Sequence, residues 1–217
     1  MTWSWKRELP QLLILAAMFA VGVLRWSTAP QRMPMHWNLR GEVDRFGGRL
    51  EGLFFLPLVA LLLYGLLLAL PRLDPHRANY NSFAGAYHAL RLVLLLFMGL
   101  MHGALLWGGA RMPSLMGLLV GVLLTVLGLL LPRLGTNWFA GIRTPWTLSS
   151  QLSWEKTHRL AGRLFVAAGL VMLVVSQLDG TWLWRLMAPV IGAAVLLPVL
   201  YSYWVWREDP ERVRSEN

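Results

Sequence analysis

The chain has 217 residues, of which 56% are hydrophobic and only 14% charged, with mean hydropathy +0.51 and a formal net charge of +9. A soluble domain carries about 25% charged residues, so this composition excludes an ordinary soluble protein and places the chain among membrane proteins. The absence of cysteine excludes disulfides, thiol chemistry and cysteine-ligated metal. The basic excess is read as loop charge that sets topology and meets anionic lipid, and not as a nucleic-acid surface, because no soluble basic–aromatic element carries it.

A membrane-crossing helix needs about 20 apolar residues. Six runs meet or approach that length: 9–26, 52–70, 92–110, 112–131, 160–178 and 186–206. None alternates with period two, so helices are expected and not a barrel. The fold class is therefore an all-α membrane protein, a bundle of six transmembrane helices forming a single membrane domain over 1–217. The first run is read as a retained span and not as a cleaved leader. Pro71 is expected to close the second span and Pro132 the fourth. Trp26, Trp107, Trp182, Trp184, Trp204 and Trp206 fall at span ends, where amphipathic rings collect at headgroup level. Seven of the 20 Lys and Arg (Arg25, Arg32, Arg40, Arg45, Arg49, Arg111, Arg185) lie on the side of the first loop, and the rest lie with the two termini. The positive-inside rule then puts both termini in the cytoplasm, with the protein multi-pass in the inner membrane.

Between the first two spans, 34–49 is a polar island on the extracytoplasmic side. Apolar and polar residues alternate from Met35 to Arg40, and Gly41 supplies the positive φ of a turn, so a short hairpin is expected. His36, Glu42 and Asp44 are its chemically capable groups. A lone His without ligand spacing does not make a metal site. A His36–Asp44 bond, or Asn38 bonding to backbone, is expected to fix the hairpin.

The second island, 135–163, is cytoplasmic in this reading. It collects Asn137, Arg143, Thr144, Ser149, Ser150, Glu155, Lys156, His158 and Arg159 with Trp138, Trp146 and Trp154. Gly135 and Gly141 permit tight backbone, and Thr144 is extended because Pro145 follows it. Ser149 or Ser150 is expected to cap the helix leading into the fifth span. On that helix Trp154, His158, Ala161 and Phe165 share a face, and Glu155 pairs with Arg159 four residues on. Arg143, in a short turn flanked by tryptophans, is the planar fork suited to phosphate or carboxylate.

These two islands carry a resemblance. The pattern Asn137-x-x-x-Gly141-Ile142-Arg143-Thr144-Pro145-x-Thr147-Leu148, followed by Trp154-x-x-x-His158-Arg159-x-x-Gly162, resembles the SdpI family of bacterial membrane proteins. Pro34-x-His36-Trp37-Asn38-x-x-Gly41-x-x-Asp44 is similar to the domain of unknown function that precedes that motif in related chains. The resemblance implies immunity to a secreted peptide toxin, or signalling through a cytoplasmic regulator held at the membrane. It attaches no catalytic set, cofactor or metal.

His102 lies near the middle of the third span, and an ionisable residue there is a functional candidate by default. A neutral His bonded to a neighbouring helix is the plainer expectation, since no acid is recognised inside the spans. His88 and Arg91 are expected to face headgroups at the wet end of the same span. The leading reading is a non-enzymatic protein that binds lipids, a secreted peptide outside and a regulator inside. Two alternatives stay open. One is a membrane enzyme on a lipid-linked or peptide substrate, using His36 and Asp44 outside or Arg143, Glu155 and His158 inside. The other is a small transporter with a polar path past His102.

Overall fold

A computed structural model describes residues 5–38, 40–178 and 180–210. Leu39, Arg212, Arg214 and the side chains of Trp182 and Trp184 lie outside the described residues. Helix α1 spans Trp5–Arg25, α2 Arg49–Leu73, α3 Ala84–Trp107, α4 Met112–Leu130, α5 Pro145–Ser149, α6 Gln151–Val175 and α7 Gly180–Arg207. All but α5 are long and apolar enough to cross a membrane. The six expected spans are thus found, with a two-stranded antiparallel sheet, β1 (Met33–Trp37) and β2 (Val43–Gly47), between the first two.

Helices α1, α2 and α3 pack around Leu15, Met18, Ala60, Tyr64 and Leu95. A second group, α4, α6 and α7, packs around Leu124, Ala168, Met172 and Leu183. The most extensive helix pairing, α4 against α6, follows from glycines seven residues apart on each helix. A Cβ on Gly128 would come within 2.6 Å of the Gly162 carbonyl, and one on Gly169 within 2.6 Å of the Gly121 carbonyl. With little hydrophobic drive between helices in lipid, such close backbone approach supplies the association.

Three expectations are corrected. Pro71 does not close α2, which continues to Leu73 with Pro71 inside it. Proline has no N–H and leaves the carbonyl four residues back without its helical donor. That carbonyl belongs to Leu67, and the buried Tyr87 hydroxyl donates to it at 2.7 Å, so the break is repaired from α3. The third helix also begins at Ala84, eight residues before the expected 92, which carries His88 and Arg91 into it. Arg91 does not face headgroups. It is buried against Glu8 of α1, whose carboxylate is likewise buried. Glu8 is the acid that the reading of the spans left out.

Up-and-down connection puts the sheet at the end of the bundle shared by the α1 and α3 C-termini and the starts of α2 and α4. The 135–163 island sits at the opposite end, packed on Tyr80, Phe83 and Tyr87 near the start of α3.

Candidate functional site

The hairpin is fixed as its residues suggest. Gly41 turns with φ 78°. The Asn38 carboxamide oxygen accepts the backbone N–H groups of Arg40 (2.8 Å) and Glu42 (3.1 Å), and its nitrogen donates to the Glu42 carboxylate at 2.9 Å. His36 Nδ1 meets Asp44 Oδ1 across the strands at 2.6 Å, with both side chains exposed. Arg45 donates to Glu51 on the first turn of α2 at 2.7 Å, which ties the sheet to the bundle. Beneath β1 lies a cavity of about 370 Å³. Its floor is Phe55 and Leu56 of α2, Met101 and Leu105 of α3, and Met112 and Met116 of α4, while Met35, His36, Trp37 and Arg45 form its roof and rim. Three methionines in the floor and Met35 in the roof give a soft, adaptable apolar surface.

The island is a polar scaffold with little left unsatisfied. Asn137 is fully buried; its oxygen accepts from Phe139 N (2.9 Å) and Ala140 N (2.6 Å), and its nitrogen donates to the Gly135 and Ala140 carbonyls. Gly141 sits at φ 102°, where an added Cβ would collide with His158 Nε2. His158 Nε2 accepts the Ile142 N–H at 3.0 Å, and Nδ1 lies 2.8 Å from the Trp154 carbonyl. An N–H donor on one nitrogen and a carbonyl on the other fix the ring as the neutral Nδ1–H tautomer. Its face stacks on Trp154 with centroids 4.1 Å apart, and Trp154 Nε1 donates to the Leu134 carbonyl at 2.8 Å.

Thr144 is extended, as the following proline dictates, and caps α5 in a reciprocal box with Thr147. Its hydroxyl also lies 3.0 Å from that of Ser202 on α7. Ser150 caps α6, accepting from Ser153 N at 2.9 Å, and bonds Asp209. Arg143 is exposed and donates to the Trp138 carbonyl at 3.0 Å. Asp74, buried after α2, gathers the Tyr80 hydroxyl and the Trp138 N–H, each at 2.9 Å. Burial and that carboxylate push the Tyr80 phenol above its ordinary pKa, which keeps it a donor.

The structure therefore brings His36 and Asp44 together at one end and Asn137, Gly141, Thr144, Pro145, Trp154 and His158 at the other. It does not assemble Arg143, Glu155 and His158 into one centre. Glu155 is engaged by Arg159 (3.3 Å) and Gln151 (3.0 Å), and both His158 nitrogens are occupied. His102 is buried in α3 beside the Leu53 backbone of α2, and its Nε2 has no hydrogen-bond partner among the described residues. Sequence reading missed Glu8, Asp74, Tyr80, Ser202 and Asp209. The signal for the first was an acid and an arginine each within a turn of an apolar run.

Six apolar helices with a structured polar face at each end define a multi-pass membrane protein. Residues 133–202 match the SdpI/YfhL protein family, and residues 13–61 match a domain of unknown function (DUF1648). The first segment holds the island and the second holds most of the hairpin's lead-in and all of its strands, so the resemblance drawn from the two motifs is shown. The chain is 22% identical over 203 residues to Immunity protein SdpI of Bacillus subtilis (strain 168), covering 94% of this chain and 97% of that protein. No solved structure matches the chain with significance.

Proposed function

We propose that this protein confers immunity in the bacterial inner membrane, with both termini cytoplasmic. It engages an apolar secreted peptide on its outer face and reports through the 137–159 island to a regulator inside. One observation carries the reading: the methionine-lined cavity of about 370 Å³ roofed by the hairpin. Apolar walls with His36 and Arg45 at the rim suit an apolar peptide side chain whose polar backbone stays at the mouth. The relative named as an immunity protein supports the same reading at the level of the whole chain.

The test is survival of a sensitive bacterium challenged with secreted killing peptides. Wild type is expressed beside Met116→Phe, which puts a rigid ring in place of an adaptable wall of the cavity, and membrane abundance is matched. The expected result is protection by wild type and its loss in the variant. Undiminished protection by Met116→Phe overturns the cavity as the site. No protection by wild type against any peptide overturns the immunity reading itself.

A further inference from the structure

On α6 the residues Arg159, Arg163, Val166, Ala167 and Leu170 follow at i, i+4, i+7, i+8 and i+11, which is one stripe of a helix surface. The stripe changes character once, from two guanidinium groups to aliphatic carbon. It lines a groove of about 470 Å³ against Gly128, Leu129 and Pro132 of the α4 end. The glycine crossing makes this groove: Gly128 and Gly162 draw the helices together, and missing side chains leave a notch beside the contact. From Arg163 to Leu170 the helix rises about 10 Å, some two-thirds of one leaflet of a roughly 30 Å hydrocarbon core. A second depression joins the same two arginines to Lys156 and Tyr201.

The charge here is not consumed internally. Arg163 and Lys156 have no ion pair among the described residues, and Arg159 has only the exposed Glu155 pair at 3.3 Å. An exposed i, i+4 pair of that kind is worth a few tenths of a kcal/mol and yields readily to a stronger anion. Three cations above an apolar slot match the polarity of one molecule class abundant around any membrane helix.

We infer that the α4–α6 groove is a binding site for an anionic phospholipid. Arg159, Arg163 and Lys156 hold the phosphate and headgroup, and one acyl chain lies along Val166, Ala167 and Leu170. This site is separate from the cavity under the hairpin and stands whether or not the immunity reading does. Basic clusters between helices at the headgroup level are where anionic lipid is retained, and the planar guanidinium fork suits a phosphodiester.

The test uses the purified full chain, delipidated in detergent and titrated with phosphatidylglycerol or phosphatidylcholine, with bound lipid counted by native mass spectrometry. Wild type is expected to retain phosphatidylglycerol in preference. Arg159→Gln with Arg163→Gln removes that preference, about 25-fold at roughly fivefold per surface cation. Arg72→Gln with Arg77→Gln, which removes the same charge from the same end outside the groove, keeps it. Ala167→Trp, which fills the slot and leaves the cations, weakens retention as well. Equal loss in the two double variants, or no preference in wild type, overturns the proposal. Displacement of the lipid by millimolar inorganic phosphate also overturns it, since that marks a bare anion site.

Discussion

Arg91 and Glu8 meet 83 positions apart in sequence through two parallel bonds, Nη1 to Oε1 at 3.1 Å and Nη2 to Oε2 at 2.5 Å, with both side chains almost entirely buried. Tyr64 of α2 donates to the same carboxylate at 3.0 Å and offers its ring to the guanidinium at 5.6 Å. Three helices thus share one charge-assisted node. A fork-to-fork pair is directional, so it specifies how α1 seats against α3 where apolar surfaces alone would slide. Removing one partner strands a buried charge, which costs about 3–5 kcal/mol. Glu8→Ala or Arg91→Ala is therefore expected to lower the thermal midpoint in detergent sharply, and Tyr64→Phe only slightly. Glu8→Leu combined with Arg91→Met should recover most of the loss, because two apolar groups strand nothing. A double variant as unstable as the singles would show that the node does more than satisfy itself.

Gly141 offers a second test, within the island motif. Its φ of 102° strains any L-residue, and the space a Cβ needs is held by His158 Nε2. Both effects act in Gly141→Ala, so the Ile142–His158 bond has to open or the turn has to move. Backbone strain of this kind costs about 1–3 kcal/mol, and the clash adds to it. His158→Ala removes the collision and leaves the strain. The double variant is expected to be less damaged than the two single losses added together, which a double-mutant cycle of unfolding midpoints reads directly.

Asn137 makes four hydrogen bonds to the loop backbone and Arg143 makes one, so the two should separate structure from interaction. Asn137→Ala orphans two N–H groups and two carbonyls, one of each buried and one half-buried, a loss of about 3 kcal/mol. Arg143 is exposed and holds only the Trp138 carbonyl, so Arg143→Ala should change stability by less than about 0.5 kcal/mol. In the toxin-survival assay, loss of protection by Arg143→Ala at unchanged stability and abundance assigns it to a partner. Full protection makes it a topology charge.

What could be read from the residues divides along a physical line. Span length, the Gly41 turn, the extended Thr144 and the Ser150 cap depend on neighbours in sequence, and the structure has each of them. The His36–Asp44 and Glu155–Arg159 pairs were also legible, because a hairpin and a helix place those partners by local geometry. Glu8 with Arg91, Asp74 with Trp138 N, and Thr144 with Ser202 join residues 83, 64 and 58 positions apart. No local period announces such partners. The error over Arg91 came from the rule that span-end arginines reach for headgroups, which fails when a buried carboxylate is nearer than water.

Orientation across the membrane has a clean test, because the chain has no cysteine and any thiol introduced is the only one. Arg40→Cys sits in the exposed hairpin turn and Trp138→Cys at the exposed surface of the island, at opposite ends of the bundle. With the termini cytoplasmic, a membrane-impermeant maleimide added to intact cells labels the first and not the second, and both are labelled after lysis. The positive-inside rule drives this expectation, though Arg32, Arg40, Arg45 and Arg49 all weigh against it in the first loop. Within that loop Arg45 pairs with Glu51 and Arg32 lies over the Phe46 ring at 5.1 Å. Labelling of Trp138→Cys alone in intact cells inverts the protein. It would put the island outside, and the immunity reading would then have to begin from Arg143 instead of His36.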